Sequence, residues 1–150
     1  MSDDAEPLIA ETWWGAGARA LFGPGWRGPE PWGVWGFGPM HGLRLPLPLG
    51  RATELEADVR AFLAGSQTRQ RIVIRAGAEA IGEWNFTLAA NREIRSVRIP
   101  TLPPGTSITF HPLMQDIPAE LDKRTRERRP LGLGLHRFRL SGGPTAKTPV

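Results

Sequence analysis

The chain has 150 residues, 40% of them hydrophobic, which is the size of one domain with one modest core. It contains no cysteine, so disulfide frameworks, thiol nucleophiles and cysteine-based zinc sites are excluded. A formal charge of only +4 accompanies a sequence pI near 10.9, because seventeen Arg, two Lys and no Tyr leave almost nothing to titrate between neutrality and about pH 12; the pI is therefore no sign of a nucleic-acid partner.

Residues 1–12 are acidic and poor in apolar groups, the composition of a frayed tail. The opening Met1-Ser2-Asp3-Asp4 is acidic where a secretory leader is basic, and no run approaches the roughly 20 apolar residues of a membrane helix. The expectation is a cytoplasmic protein without a membrane span. From Trp13 to Met40 the chain is dense in Gly, Pro and Trp with no sustained period, so short extended pieces or irregular structure are expected. Leu43, Leu45, Leu47 and Leu49 then alternate, which places them on one face of a strand, and Pro46 and Pro48 on the other face mean that the strand lies at a sheet edge or is only partly paired.

Residues 53–64 fit two periods. Leu55, Val59, Phe62 and Leu63 make a helical stripe with Thr53 and Glu56 as a capping box, while Leu55, Ala57, Val59, Ala61 and Leu63 alternate as in a strand. Arg71 to Ala76 is a strand by its β-branched content, and Gly77 with Gly82 brackets a turn into Glu83-Trp84-Asn85-Phe86, a hairpin signal. Arg95–Ile99 and Thr106–Phe110 are further strands, separated by the breaker Pro103-Pro104-Gly105. A turn or two of helix is expected after Pro118, and Asp122–Arg129 has no apolar stripe and reads as a solvated loop. Leu131, Leu133 and Leu135 alternate, and Phe138 and Leu140 continue in the opposite phase, which one bulge at His136 or Arg137 would absorb. Residues 141–150 have the composition of a second tail. Spaced short strands of this kind predict an all-β sandwich or barrel.

Catalytic signatures are missing. His41, His111 and His136 are isolated in sequence and offer no metal-ligand spacing, and the candidate acids Glu30, Asp116 and Glu120 are scattered where glycoside hydrolysis needs a close pair. No GxSxG, P-loop or dinucleotide fingerprint occurs. The basic run from Lys123 to Arg129 is offset by acids: Glu120–Arg129 holds five bases and three acids, so no strong field for nucleic acid arises. The informative cluster is aromatic. Five of the six Trp, Trp13, Trp14, Trp26, Trp32 and Trp35, fall in the first quarter of the chain. Indole faces on rigid loops are platforms for the apolar faces of sugar rings, with Arg, Glu, Asn and Gln for the hydroxyls; they equally serve to hold an irregular segment against a sandwich.

The stretch Gly25-Trp26-Arg27-Gly28-Pro29-Glu30-Pro31-Trp32-Gly33-Val34-Trp35-Gly36, followed by Leu43-Arg44-Leu45-Pro46-Leu47, resembles the opening of a β-sandwich domain appended to bacterial glycosyltransferases of surface-polysaccharide synthesis. Ala61-Phe62, Gln70-Arg71-Ile72-Val73-Ile74 and Gly82-Glu83-Trp84-Asn85-Phe86 resemble its central hairpin, and Pro118-Ala119-Glu120-Leu121 with Arg129-Pro130-Leu131-Gly132-Leu133-Gly134-Leu135 its closing motif. The resemblance spans about residues 22–140 and implies a strand for Leu55–Phe62. Where that domain's central turn often has Asn-Gly, this chain has Ala76-Gly77-Ala78, and its pre-closing loop is richer in Arg. These 150 residues do not themselves include a glycosyltransferase catalytic domain, so the resemblance implies an accessory module and supplies no catalytic residue.

The resulting expectation is a jelly-roll antiparallel β-sandwich over residues 13–140 that is not an enzyme and uses no cofactor or metal. Trp26, Glu30, Trp32 and Trp35 form or support a glycan site, Glu30 accepting from sugar hydroxyls beside an indole wall. The alternative is a structural or interaction module that docks, through the same residues, on a glycosyltransferase or similar polysaccharide-synthesis enzyme. Trp rings lining a concave polar cleft favour the first, and Trp on a flat apolar patch the second.

Overall fold

Alternation of apolar side chains governs the architecture seen in the computed structural model, which describes residues 13–15, 21–44, 53–103, 106–113 and 130–141. These carry the strands β1 (Trp14–Gly15), β2 (Val34–Phe37), β3 (His41–Leu43), β4 (Thr53–Ala61), β5 (Arg69–Ala76), β6 (Glu79–Thr87), β7 (Glu93–Ile99), β8 (Ile108–Pro112) and β9 (Leu131–Ser141). No α-helix occurs among the described residues. One sheet runs β2-β9-β4-β7, with β1 sharing the β9 edge with β2; the other runs β3-β8-β5-β6, and every pairing is antiparallel. Strands β2 to β9 thus pass back and forth between two four-stranded sheets, the connectivity of a jelly roll.

The core lies between the sheets. Leu55, Ala57, Val59 and Ala61 of β4 point inward beside Leu131, Leu133 and Leu135 of β9, and face Ile72 and Ile74 of β5, Phe86 of β6 and Phe110 of β8, all buried. This explains why β4 is a strand despite its helical stripe. It is hydrogen-bonded on both sides, Leu55 pairing with Val97 of β7 and Leu140 of β9, so the 2-residue period buries all four apolar groups on one face. Each such large side chain removed from water contributes about 1.5–3 kcal/mol, which overrides a local helical preference of a few tenths per residue.

The phase change in β9 also has a simple form. Asp58 pairs with Arg137 and Val59 with Leu135, leaving His136 as one extra, unpaired residue, the predicted bulge. Phe138 and Leu140 return to the core beyond it.

Two expectations need correction. The hairpin turn is Gly77-Ala78 alone, since Ala76 already pairs with Glu79 and Gly77 takes the left-handed φ of 61°. Gly82 lies inside β6, where a Cβ would come within 2.6 Å of Val97 Cγ2; the glycine marks a close approach of the two sheets' edges and not a turn. Strand β8 runs Ile108–Pro112, two residues later than Thr106–Phe110. The Gly/Pro/Trp-rich segment supplies β1, β2 and a strip along β3: Phe22 bridges to Leu43, and Gly23 N–H donates to the Gly42 carbonyl at 2.8 Å. Residues 1–12, 142–150, Leu45–Leu49, Asp116, the Pro118–Leu121 motif and the Asp122–Arg129 loop lie outside the described residues.

Candidate functional site

The bulge at His136 builds a cleft. On the outer edge of β9, β2 pairs as far as Leu135 and β1 takes Arg137 and Phe138, so His136 falls between the ends of two short strands. β2 is entered by a tight turn in which Glu30 N–H donates to the Gly33 carbonyl at 2.7 Å and Gly33 N–H returns to Glu30 at 3.1 Å, projecting Pro31 and Trp32. Only a glycine at 33 lets this turn approach β9, because a Cβ would stand 2.4 Å from the Leu135 carbonyl. The imidazole of His136 ties the turn down, Nδ1 donating to the Trp32 carbonyl.

Trp13 and Trp14 alternate as strand residues do. Trp14 turns inward, its ring 5.5 Å from Phe138, and Trp13 turns outward, with the Arg137 and Arg139 guanidinium groups 4.5 and 4.7 Å from its ring centre. Between this step and the Pro31-Trp32 turn lies an open cleft of about 460 Å³, whose lining side chains include Trp13, Glu30, Trp32, His136 and Arg137.

Behind the cleft, aromatic packing fixes the Trp32 ring. Trp32 and Trp35 meet edge to face at 5.2 Å, and Phe62 continues the row 5.9 Å from Trp35. Both indoles lie over Gly134, where a Cβ would approach Trp35 to 2.8 Å and Trp32 to 3.1 Å. Arg60 of β4 projects outward on to the same rings, 4.2 Å from Trp32 and 5.1 Å from Trp35, with its Nε buried and unpartnered. Burial lowers the Arg60 pKa, Arg92 adds to that, and the Glu30 charge opposes it.

The carboxylates are held in distinct ways. Glu30 is exposed, accepting from Trp32 Nε1 at 3.1 Å with Arg27 3.9 Å away. Asp58, opposite the bulge, accepts two hydrogen bonds from Arg92 at 3.0 and 3.2 Å, and these hold its carboxyl below the usual range; Arg137 stands 3.8 Å off.

Of the residues singled out in the sequence, Glu30 and Trp32 line the cleft and Trp35 backs Trp32. Trp26 is packed separately: its Nε1 donates to the Gly42 carbonyl at 2.8 Å and its ring meets Phe22 at 5.2 Å and His41 at 5.3 Å. Sequence reasoning did not assign Trp13, Arg60, His136 or Arg137 to the site. Their signal was the charged half of the alternation, Glu54, Glu56, Asp58 and Arg60 in β4 with Arg137 and Arg139 beyond the bulge, which marks one solvent-facing sheet surface.

The other histidines play different parts. His41 is fully buried, accepts the Leu133 N–H at Nε2 (3.3 Å), and fits only because Gly36 and Gly132 leave room: a Cβ at either would be within 2.2 and 2.6 Å of its ring. Burial pushes its pKa down to about 4, so it is neutral at physiological pH. His111 bonds Thr109 Oγ1 on the other sheet. No group of three or more metal-ligating side chains converges among the described residues, and no helix there is long and apolar enough to cross a membrane.

The fold is similar to that of solved carbohydrate-binding modules. The chain is similar to a structure described as carbohydrate-binding module CBM36 in complex with calcium and xylotriose, at 14% identity and a TM-score of 0.51 over 87% of this chain and 99% of that one. It is equally similar to the CBM36-1 domain of a multidomain xylanase from the hindgut metagenome of Trinervitermes trinervoides, at 11% identity and a TM-score of 0.52, over 87% and 96%. No protein-family model matches the chain, and no curated protein matches it in sequence. The donor set of the cleft does not suit calcium, which takes six to eight oxygens: among the described residues Glu30 is its one lining carboxylate, and the Arg137 guanidinium lines the same cleft.

Proposed function

We propose that the protein is a non-catalytic carbohydrate-binding module whose ligand lies in the Trp13–Trp32 cleft. The observation that carries this reading is the concavity: two indoles flank an open cleft that also presents a carboxylate, an imidazole and a guanidinium. A sugar ring needs this pairing, apolar walls for its C–H faces and hydrogen-bonding groups for its hydroxyls. Trp32 is the stacking face, pre-set by Gly134, Trp35 and Arg60, so little side-chain freedom is lost on binding. Glu30 accepts from hydroxyls, and Trp26 supports the site by holding the strip before the turn against β3. The likeness to carbohydrate-binding modules supports the scaffold at the level of fold. The resemblance to glycosyltransferase-appended domains supports a bacterial surface polysaccharide as the glycan.

A glycan array probed with the intact chain tests this, alongside Trp32→Ala and Glu30→Ala variants checked for folding by circular dichroism. The expected result is binding by the wild type that weakens at least about tenfold in folded Trp32→Ala, the loss of roughly one base-stacking-sized aromatic contact. Absence of binding at millimolar sugar by a folded wild type would overturn the reading. It would favour the alternative of docking on a polysaccharide-synthesis enzyme, for which the 55% exposed Ile94, paired with Asp58 on the same sheet face, offers an apolar margin.

A further inference from the structure

Resting on that reading of the cleft, the geometry points to an acidic glycan: we propose that the bound sugar carries a carboxylate, as in a uronic acid, and that Arg137 receives it.

Three arginines around this cleft are engaged by other groups, and Arg137 is held only loosely. Arg139 is bound to Glu56 at 2.5 Å, and Arg92 occupies both oxygens of Asp58. Arg60 has its guanidinium laid against two indoles, behind the cleft. Arg137 alone of these lines the cleft, and its nearest carboxylate, Asp58 at 3.8 Å, is already taken. Its guanidinium lies 4.5 Å from the Trp13 ring centre. An indole against the guanidinium limits its rotation, and its side chain remains 45% exposed. A planar, partly immobilised guanidinium with uncommitted N–H groups is the arrangement that accepts a carboxylate through two parallel hydrogen bonds.

The cleft has polarity as well. Glu30 lies in the turn beside Trp32, with its carboxylate held by Trp32 Nε1, and it repels a second anion while accepting from hydroxyls. Arg137 and His136 are contributed by β9, with His136 Nδ1 committed to the Trp32 carbonyl. A ring seated on Trp32 therefore meets an acceptor on one side and a cation on the other. A neutral sugar satisfies Glu30 and leaves Arg137 solvated, whereas a uronate satisfies both.

The experiment is isothermal titration of the intact chain with galacturonic acid oligosaccharides and with the same oligosaccharides after carboxyl reduction to neutral galactose units. The expected result is acid binding at least about tenfold tighter, the scale of one charge-assisted hydrogen-bonded pair. Arg137→Gln removes that preference by weakening only the acid, and Arg98→Gln, an equal charge change on β7, leaves it in place. Equal affinity for the acidic and neutral sugars overturns the proposal while leaving the glycan reading intact. An acid preference that survives Arg137→Gln overturns it too, since general attraction to the basic surface then suffices. No binding of either sugar, or of any other on the array, overturns both the proposal and the reading beneath it.

Discussion

On the outward face of the β2-β9-β4-β7 sheet, indole rings lie against guanidinium groups over a glycine and beside a bulge. The outward face of the β3-β8-β5-β6 sheet instead ties its polar groups to one another: Arg71 to Glu83 at 2.9 Å, Asn85 to the same carboxylate at 3.2 Å, Thr109 to His111 at 2.7 Å. Both faces are the solvent half of the same alternation. The difference is regularity. Where the ladder runs unbroken between Arg71 and Glu83, neighbouring side chains meet side by side and satisfy each other. Where β9 gains one residue and the described residues of β1 and β2 end on either side of it, a step opens with large rings around it. The Trp13–Trp32 cleft comes from interrupting a strand.

If the inward faces set stability and the bulged outward face sets binding, substitutions should separate the two. The largest effect is expected at Phe110, fully buried and stacked on Trp84 at 5.6 Å: Phe110→Ala should cost about 3–5 kcal/mol, enough to leave much of the chain unfolded in a denaturant titration. Next comes pH. His41 protonates at its ordinary 6.5 in the unfolded chain and at about 4 in the fold, so stability is full above pH 6.5 and declines as pH falls toward 4, by about 3 kcal/mol. Melting curves across that window should show the slope, and His41→Gln should flatten it, leaving a smaller slope of the same sign from His111, whose pKa burial and then Arg75 also lower.

Gly134→Ala should act in the opposite way, pushing Trp35 and Trp32 off the sheet at a cost of about 1–3 kcal/mol while reducing glycan affinity more than any core substitution that leaves the chain folded. A variant that binds as the wild type does would show that the ring positions are not set by this glycine. The smallest effect is expected for Glu56→Gln, which breaks the part-buried pairing with Arg139: under about 1 kcal/mol in stability, diminishing further in high salt.

The elements that the sequence made legible are those in which a period of two is unopposed. Arg71–Ala76, Glu83–Phe86, Arg95–Ile99 and the bulge in Leu131–Leu140 all appear, because burial on one face writes itself directly into the residue order. Thr53–Ala61 was ambiguous since its charged residues spaced the apolar ones in a way both periods satisfy; the flanking strands β7 and β9, remote in sequence, decide it. Gly82 misled because a glycine can serve a turn or a close approach, and only the position of Val97 distinguishes them. In the candidate site, Glu30 and Trp32 of one turn and Trp35 of the strand that follows it are near one another in sequence and were recognisable as a local group. Arg137 and His136 were not, because what brings them to Trp32 is the pairing of β2 with β9, about a hundred residues away along the chain.

That separation has a kinetic consequence. The β5–β6 hairpin closes through a two-residue turn and can form on the microsecond scale of local structure, whereas the cleft requires the Trp32 turn to find a strand 104 residues distant and pays the loop-closure entropy of that search. In a refolding experiment, recovery of ligand-sensitive Trp fluorescence should therefore trail recovery of sheet circular dichroism. The cleft reports on completion of the fold: a chain arrested with its hairpin formed and β9 undocked has most of its strand-forming sequence and none of its recognition surface.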